Sequence, residues 1–574
     1  MSRATGQDQT RPADGLSYVR GLSSPPLDDI TIPAFLARTV KQHGDREAAV
    51  FCGPGIRWTW RELQEQVDRF AAGLLSIGLY KGDRIGIWAP NRPEWLIAQF
   101  ATARIGLILV NINPAYRRHE LEYALNKVGA KALISASRFK SSNYIEMLQD
   151  LAPELADALP GCLQAQRLPK LTTIIQLGDE PVAGMYMFKD VVAKGEGANR
   201  ARLDAITSSL NPNDAINIQF TSGTTGTPKG ATLTHRNVVN NARYCAMAMK
   251  LTQDDRIAIP VPFYHCFGMV LGNLAAVSTG TAMVFPGEAF DPLETLKALS
   301  DENCTAVHGV PTMFAAMLDH DRFDEFSFGS LRTGIMAGSP CPISLMKRVV
   351  SQMNAGEITI AYGMTETSPV SFQSDTGDEM ERRVSTVGQI HPHVEVKIVD
   401  SEGDTVAVGE KGELLTRGYC VMKGYWDDPE TTADVIDKDG WMHTGDLGTL
   451  DDAGYCNIVG RVKDMLIRGG ENVYPREIEE FLLGHPAILQ AQVFGVPDDR
   501  YGEEASAWVV LKAGQTMSED DLRSFCQGQI AHYKIPRYVR FVSEFPMTIT
   551  GKPQKFVMRE QMIEELGLQA DKTA

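Results

Sequence analysis

The chain lacks any surplus of positive charge: 56 Lys and Arg stand against 72 Asp and Glu, a net charge of -16 over 574 residues. General nucleic-acid binding, which needs excess Lys and Arg to meet phosphates, is excluded on that balance. A small anionic ligand is not, because a local cradle can bind what the whole surface repels. Paired cysteines are missing too. The nine cysteines, at 52, 162, 245, 266, 304, 341, 420, 456 and 526, never fall at C-x-x-C spacing. Neither a zinc site nor a disulfide framework is indicated, and reduced thiols in a cytoplasmic setting are the expectation. Long apolar runs are absent as well. The longest uncharged stretch, Ile257 to Gly287, is interrupted by Pro260, Pro262, Gly268, Gly272, Asn273 and Gly280, so no integral membrane segment is expected. Met1 to Thr10 is polar with no apolar h-region, which argues against a secretory signal.

What is present is ordinary globular sequence, 43% apolar and 22% charged, and its length exceeds what one hydrophobic core organises. Residues 1–27 read as a loose polar arm. From Ile32 helix and strand patterns alternate. Thr59-Trp-Arg-Glu62 fits a capping box, and Leu63, Val67, Phe70, Ala71, Leu74 and Leu75 recur at helical spacing before Gly78. Arg84 to Trp88 follows as a strand, and the alternation continues through 91–114, 120–135 and 254–286. Strands separated by helix-length crossovers imply parallel sheets with helices on their faces. Near residue 390 the pattern shifts to strands joined by turns, Val394 to Val399 and Gly412 to Arg417, which predicts a β-rich antiparallel subdomain over about 390–460. Beyond Arg461 come strand-like runs at 489–496 and 505–512, a turn at Pro497 to Asp499 between them, and a helix over 519–531. The expected fold class is α/β: a large N-terminal domain (28–460) of parallel α/β sheets with that β-rich subdomain, a hinge at 461–463, and a small C-terminal α+β domain (464–574).

One stretch invites a ligand. Phe220-Thr-Ser-Gly-Thr-Thr-Gly-Thr-Pro-Lys-Gly230 lies between a strand pattern at 215–220 and a helix pattern at 237–249. Glycine lets backbone N–H groups approach an anion closely, hydroxyls add donors, and Lys229 adds charge, so a phosphate cradle is predicted. It is not a Walker A loop, since Gly226 is followed by Thr-Pro-Lys-Gly. A merely flexible surface loop would leave an unbroken run of such residues at a strand-to-helix junction without a reason.

Five further segments follow in order: Pro262-Phe-Tyr-His-Cys-Phe-Gly268, Ala361-Tyr-Gly-Met-Thr-Glu-Thr367, His443-Thr-Gly-Asp-Leu-Gly448, Gly460-Arg-Val-Lys-Asp464 through Gly469-Gly-Glu-Asn-Val-Tyr-Pro-Arg-Glu477, and Thr550-Gly-Lys-Pro-Gln-Lys555. With the loop, they resemble the adenylate-forming (AMP-binding) superfamily from about residue 30 to 565. The resemblance implies two steps: a carboxylate and ATP give an acyl-adenylate and pyrophosphate, then a thiol displaces AMP. ATP, Mg²⁺ and CoA are the implied cofactor and co-substrates, and the small C-terminal domain is implied to be mobile. Thr221, Ser222, Gly223, Thr224, Thr225, Gly226, Thr227, Pro228 and Lys229 would hold the phosphates. Gly338, Ser339 and Pro340 on one side, with Tyr362, Gly363 and Met364 on the other, would form the adenine slot. Thr365 would donate to the α-phosphate, and Glu366 would bind Mg²⁺, a hard cation suited to one or two carboxylates plus phosphate oxygens. Asp446 and Arg461 would hold the ribose, and Lys552 would bridge carboxylate and α-phosphate as the catalytic lysine. Pro553 departs from the aliphatic residue the family often has there. Lys463 would be the hinge, Gly469 and Gly470 the pantetheine tunnel, and His265 a gate beside the carboxylate.

Taken singly, these residues have plainer readings: Lys552 as solvated surface, Tyr362 as core, His265 packed between aromatics. The order of the motifs sets those readings aside. Among acceptors, CoA fits best, because the chain shows no carrier segment before Ala574. A separate carrier protein stays open, and luciferase-type oxygenase chemistry is set aside as rare. The stretches Arg417 to Trp426, Met465 to Pro475 and Gly551 to Phe556 look closest to the medium-chain fatty acyl-CoA synthetase branch, with Val310, Gly338, Ser339, Met364 and Val370 as acyl-pocket candidates. Aryl and short-chain acids remain alternatives. A binding protein that kept the fold but lost catalysis should have lost Lys552, Glu366 or Asp446, and all three stand.

Overall fold

Thr59 caps the helix Trp60–Ser76 as the sequence predicts: its hydroxyl accepts from Glu62 N and the Glu62 carboxylate accepts from Thr59 N. The apolar stripe from Leu63 to Leu75 is buried. The computed structural model describes residues 10–197, 200–221, 228–339, 341–468, 471–498, 501–548 and 552–568. They divide into two compact units: residues 20–395 with 416–442, and residues 11–19 with 396–415 and 443–574. The β-rich strands at 396–415 and 443–461 thus cluster with the C-terminal segment, a partition that differs from a boundary at 460.

The first unit is built on two large sheets. In one, Tyr186–Met187, Thr173–Gln176, Ala132–Ser135, Arg84–Trp88, Ile108–Asn111 and Ala215–Thr221 run parallel in that spatial order, then Lys229–Thr234 and Gly424–Tyr425 add antiparallel. In the other, a parallel core of Glu357–Gly363, Thr333–Ala337, Ala306–Gly309, Arg256–Ala258, Ala282–Phe285 and Glu47–Phe51 is flanked by antiparallel strands at both ends. The parallel strands are buried on both faces and largely apolar, as helix-covered sheets require. The strand Lys229–Thr234 corrects the expected strand-to-helix junction. The phosphate-loop stretch links two antiparallel neighbours, with Thr221 opposite Lys229 and Phe220 opposite Gly230. Gly230-Ala-Thr-Leu-Thr234 is too short and too mixed to announce itself as a strand, and it forms because it pairs on both sides. The helix then starts at His235, capped by Thr234.

The second unit holds two sheets. One carries Tyr18–Arg20, Val394–Val399, Gly412–Gly418, Met442–Leu450 and Cys456–Arg461 in that order. The arm is therefore not loose from residue 10 on: Ser17 N donates to Val406 O at 2.8 Å and Ile398 N donates to Ser17 O at 2.9 Å. The other sheet is built on a long hairpin, Ile488–Asp498 with Gly502–Leu511. Pro497 and Asp498 pair with Glu503 and Gly502, so these two residues of the turn predicted at 497–499 belong to the strand. The predicted helix over 519–531 ends at Cys526, because Gln527 is extended and Gly528 takes φ +74°.

Asp255 ties the parallel core of the first unit together at its edge. Only 5% exposed, it accepts from Arg332 Nη2 at 2.8 Å, Thr305 Oγ1 at 2.7 Å and Thr252 N at 2.8 Å. Burial raises this carboxyl, but those hydrogen bonds and the guanidinium outweigh it and hold its pKa below the ordinary value. The folded state therefore takes up this proton less readily than the unfolded chain. The stabilisation is complete above the unfolded pKa of about 3.9 and is lost as pH falls through the lower folded value. Asp255→Asn is expected to cost about 1–3 kcal/mol at neutral pH and to flatten the acid limb of stability. Urea midpoints measured across pH 2–7 check this (about that range), and identical acid limbs in both chains would refute it.

Candidate functional site

Three segments far apart in sequence meet at one carboxylate in the first unit. Thr221 ends the strand that enters the phosphate-loop stretch, and its Oγ1 donates to Glu366 Oε1 at 3.1 Å. Tyr425 OH donates to the same oxygen at 3.0 Å. Met422 N donates to the Glu366 carbonyl at 2.8 Å. Glu366 is 5% exposed and Thr365 8% exposed. Among the described residues no Lys or Arg forms an ion pair with Glu366. A buried carboxylate satisfied only by neutral donors is costly unless a cation joins it.

Local sequence sets this position. The strand Glu357–Gly363 carries Tyr362 and Gly363, and a Cβ on Gly363 would lie 1.7 Å from Pro369 O. Only glycine lets the chain pass there. It then tightens into the turn Thr365–Thr367, where Thr367 Oγ1 accepts from Met364 N at 3.0 Å and donates to Pro369 O at 2.8 Å. Tyr362 is half-buried beside Phe372, ring centroids 6.3 Å apart. Gly338 has φ +95° and stands exposed before half-buried Ser339, while a Cβ on it would come within 3.1 Å of Val310 Cγ1. Val310 and Met364 are half-buried and Val370 is buried. The structure thus brings Gly338 and Val310 together, and Gly363 opposite Val370.

Lys229 is half-buried, its ammonium 5.2 Å over the Tyr425 ring, and the adjoining Pro228 carbonyl accepts from Tyr123 OH at 3.1 Å. Ser222, Gly223, Thr224, Thr225, Gly226, Thr227 and Pro340 lie outside the described residues. His265 is half-buried in a turn that runs into the π-helical segment Phe267–Leu274, a form often found at functional positions. Its Nδ1 accepts from Phe267 N at 3.3 Å. Buried polar groups tether that turn: Asn111 Nδ2 donates to Tyr264 O at 2.9 Å, and Cys266 Sγ donates to Gln219 Oε1 at 3.2 Å. Gln219 sits two residues before Thr221 on the same strand, so the gate turn and the loop strand share one buried network.

In the second unit Asp446 is 8% exposed and pairs with Arg461, whose Nε donates to Oδ1 at 3.1 Å across antiparallel strands. Gly445, at φ +69°, turns the chain, and Glu413 braces it by accepting from Gly445 N at 3.1 Å. Lys463 is exposed in the single turn Val462–Asp464. Lys552 is also exposed; its N donates to Thr548 Oγ1 at 2.9 Å and its carbonyl accepts from Thr548 N at 2.7 Å. Gly469 and Gly470 lie outside the described residues.

The sequence reading passed over Tyr425 and Gln219. Tyr425 stood in view within Gly424-Tyr-Trp426, but only pairing with the loop strand brings it to Glu366. Gln219 and Asn217 are the two uncharged amides of a strand read as alternation, and polar residues on a central strand were the available signal.

The two-sheet α/β unit brings Thr221, at the start of the glycine-rich stretch, to a buried carboxylate, and comparison with known proteins identifies the class. The AMP-binding enzyme family matches residues 36–426, and the AMP-binding enzyme C-terminal domain matches residues 477–552. The chain belongs to this family and is an AMP-forming ligase. Among its relatives, YngI of Bacillus subtilis, named as an acyl-CoA synthetase, is 50% identical over 539 residues, 94% of this chain and 98% of that one. The mitochondrial medium-chain acyl-CoA ligase ACSF2 of Danio rerio is 48% identical over 555 residues, 96% of this chain and 91% of that one. The crystal structure of ATP-bound MatB from Rhodopseudomonas palustris is similar with a TM-score of 0.81 at 28% identity, covering 94% of this chain and 100% of that chain.

Gly363→Ala tests whether the passage beside Pro369 matters for the site. A methyl group there must displace backbone, so the Thr365–Glu366 turn is expected to shift and adenylation to fall by about 100-fold, the effect of misplacing a reacting geometry by roughly 1 Å. Pyrophosphate–ATP exchange, with the melting temperature as a fold check, measures it; unimpaired exchange would contradict the constraint.

Proposed function

We propose that this ligase activates a fatty acid of medium chain length with Mg-ATP and transfers the acyl group to CoA. The observation that carries the reading is the Glu366 carboxylate: buried, fixed on one oxygen by Thr221 and Tyr425, and without a cationic partner among the described residues. That donor set fits Mg²⁺, which keeps water and phosphate ligands around one or two carboxylates. When bound with ATP, the ion supplies charge neutralisation at the phosphates. The relatives named as medium-chain acyl-CoA ligases support the chain length and the acceptor.

In the first step a carboxylate oxygen attacks the α-phosphorus and pyrophosphate leaves. A carboxylate is a weak nucleophile, so charge and aligned donors at the α-phosphate carry most of the catalysis. Thr365 donates there, and Lys552 offers a cation to both the attacking carboxylate and the phosphate. Lys229 and the loop residues 222–227 hold the outer phosphates. Tyr362 stacks on adenine, with Gly338 and Ser339 opposite, and Asp446 accepts from the ribose hydroxyls, a task for an acceptor-only side chain. In the second step the CoA thiolate attacks the acyl carbonyl and AMP departs. His265 gates the carboxylate, and Val310, Gly338, Met364 and Val370 line the acyl pocket. Lys463 serves as the hinge, and Gly469 and Gly470 border the pantetheine path. A reducing, cytoplasmic location accords with nine free cysteines; among the described residues no helix is long and apolar enough to cross a membrane.

The test is AMP release from ATP, Mg²⁺ and CoA with straight-chain acids of increasing length, branched acids and aromatic acids. Turnover is expected to peak at medium chains. Lys552→Ala is expected to lower adenylation by about 100- to 1,000-fold, the usual loss for one preorganised electrostatic group, while CoA attack on supplied acyl-adenylate continues. A maximum at aryl or short-chain acids would replace the substrate assignment. Pyrophosphate release without CoA-dependent turnover would replace CoA by a carrier protein.

A further inference from the structure

The two oxygens of Glu366 are treated differently. Thr221 Oγ1 and Tyr425 OH both donate to Oε1, at 3.1 and 3.0 Å, whereas Oε2 accepts from none of the described residues. Tyr425 is itself fixed. It lies on an edge strand opposite Ala231, its N donates to Thr432 Oγ1 at 2.9 Å, and the flanking Lys423 N and Trp426 N donate to Thr232 O and Gly230 O at 2.9 and 2.8 Å. The Lys229 ammonium stands 5.2 Å over its ring. One phenol thus touches the carboxylate and the lysine at the end of the phosphate-loop hairpin.

We propose that Tyr425 is a positioning residue for metal binding: its hydroxyl fixes Oε1 of Glu366 and reserves Oε2 for the Mg²⁺ of Mg-ATP. This rests on Glu366 being the metal carboxylate, as proposed above. The hydroxyl is the donor of this bond, because an ionised carboxylate can only accept. Without that donor, Oε1 competes with Oε2 for the ion, and the carboxylate loses the constraint that preorganises it. The ring under Lys229 is untouched by Tyr425→Phe, so that variant isolates the hydroxyl.

The experiment is a titration of Mn²⁺ into the full chain with a non-hydrolysable α,β-methylene ATP analogue, read by water-proton relaxation, alongside the Mg²⁺ dependence of pyrophosphate–ATP exchange. Tyr425→Phe is expected to raise both the Mn²⁺ dissociation constant and the half-saturating Mg²⁺ about tenfold, the effect of one charge-assisted hydrogen bond. The KM for the acid and CoA attack on supplied acyl-adenylate are expected to stay within about twofold, a scale well below that of a lost hydrogen bond. Incorporating 4-aminophenylalanine in place of Tyr425 restores a donor and is expected to restore Mn²⁺ affinity, whereas 4-methylphenylalanine, of nearly the same size without one, is not. This pair also decides the matter if Tyr425→Phe does not fold. Unchanged Mn²⁺ affinity in Tyr425→Phe, with Glu366→Gln weakened, overturns the role of Tyr425 alone. Unchanged affinity in both overturns Glu366 as the metal carboxylate.

Discussion

The site hangs on a single anion held in place by neutral donors. Glu366 receives Thr221 from 145 residues upstream and Tyr425 from 59 residues downstream, and these bonds join two strands of one large sheet to the turn that follows a strand of the other. An unpaired buried carboxylate is unfavourable in the free protein, and two hydrogen bonds offset only part of that cost. On the metal role proposed for Glu366, the remaining imbalance would supply a cation's affinity, a trade common at functional positions.

Backbone, more than side chains, delivers Glu366 to this place. Gly363 passes where no Cβ fits, and the next three residues close a turn that Thr367 satisfies from within. On the other sheet, the hairpin through the phosphate-loop stretch is gripped by antiparallel partners on both sides of Lys229–Thr234. The mobile-looking composition of 220–230 is thus anchored at both ends by regular pairing. The proposed phosphate stretch thus starts and ends on paired strands, with Thr221 opposite Lys229, rather than opening directly onto a helix.

Much of this was legible in the sequence. The capping box at Thr59, the parallel strands spaced by helices, and the order of the six motifs all correspond to observed elements. Three things were not, for distinct physical reasons. The strand Lys229–Thr234 has weak propensity and exists because neighbours on both sides complete its ladder. The arm around Tyr18 reads as polar because only one of its three strand residues, Val19, is buried, so its order comes from long-range strand pairing rather than from local pattern. Tyr425 is an ordinary strand aromatic until register sets it opposite Ala231. Each missed feature depends on a partner distant in the chain, which periodicity cannot see.

The Asp446–Arg461 pair, proposed to meet the ribose, is held in a different way. Asp446 is buried, and Arg461 supplies its charge partner from the neighbouring strand, yet the arginine side chain is half exposed. A pair with one solvated member contributes little to folding, on the order of 0–1 kcal/mol. Arg461 can therefore exchange one contact for water or a sugar hydroxyl at small cost, while Asp446 keeps a fixed backbone through Gly445, Glu413 and Thr444. Glu366 and Asp446 solve the same problem in opposite ways. Glu366 has no protein cation among the described residues, which suits the metal role proposed for it. Asp446 is already charge-paired with Arg461, which suits the neutral sugar hydroxyls proposed for it.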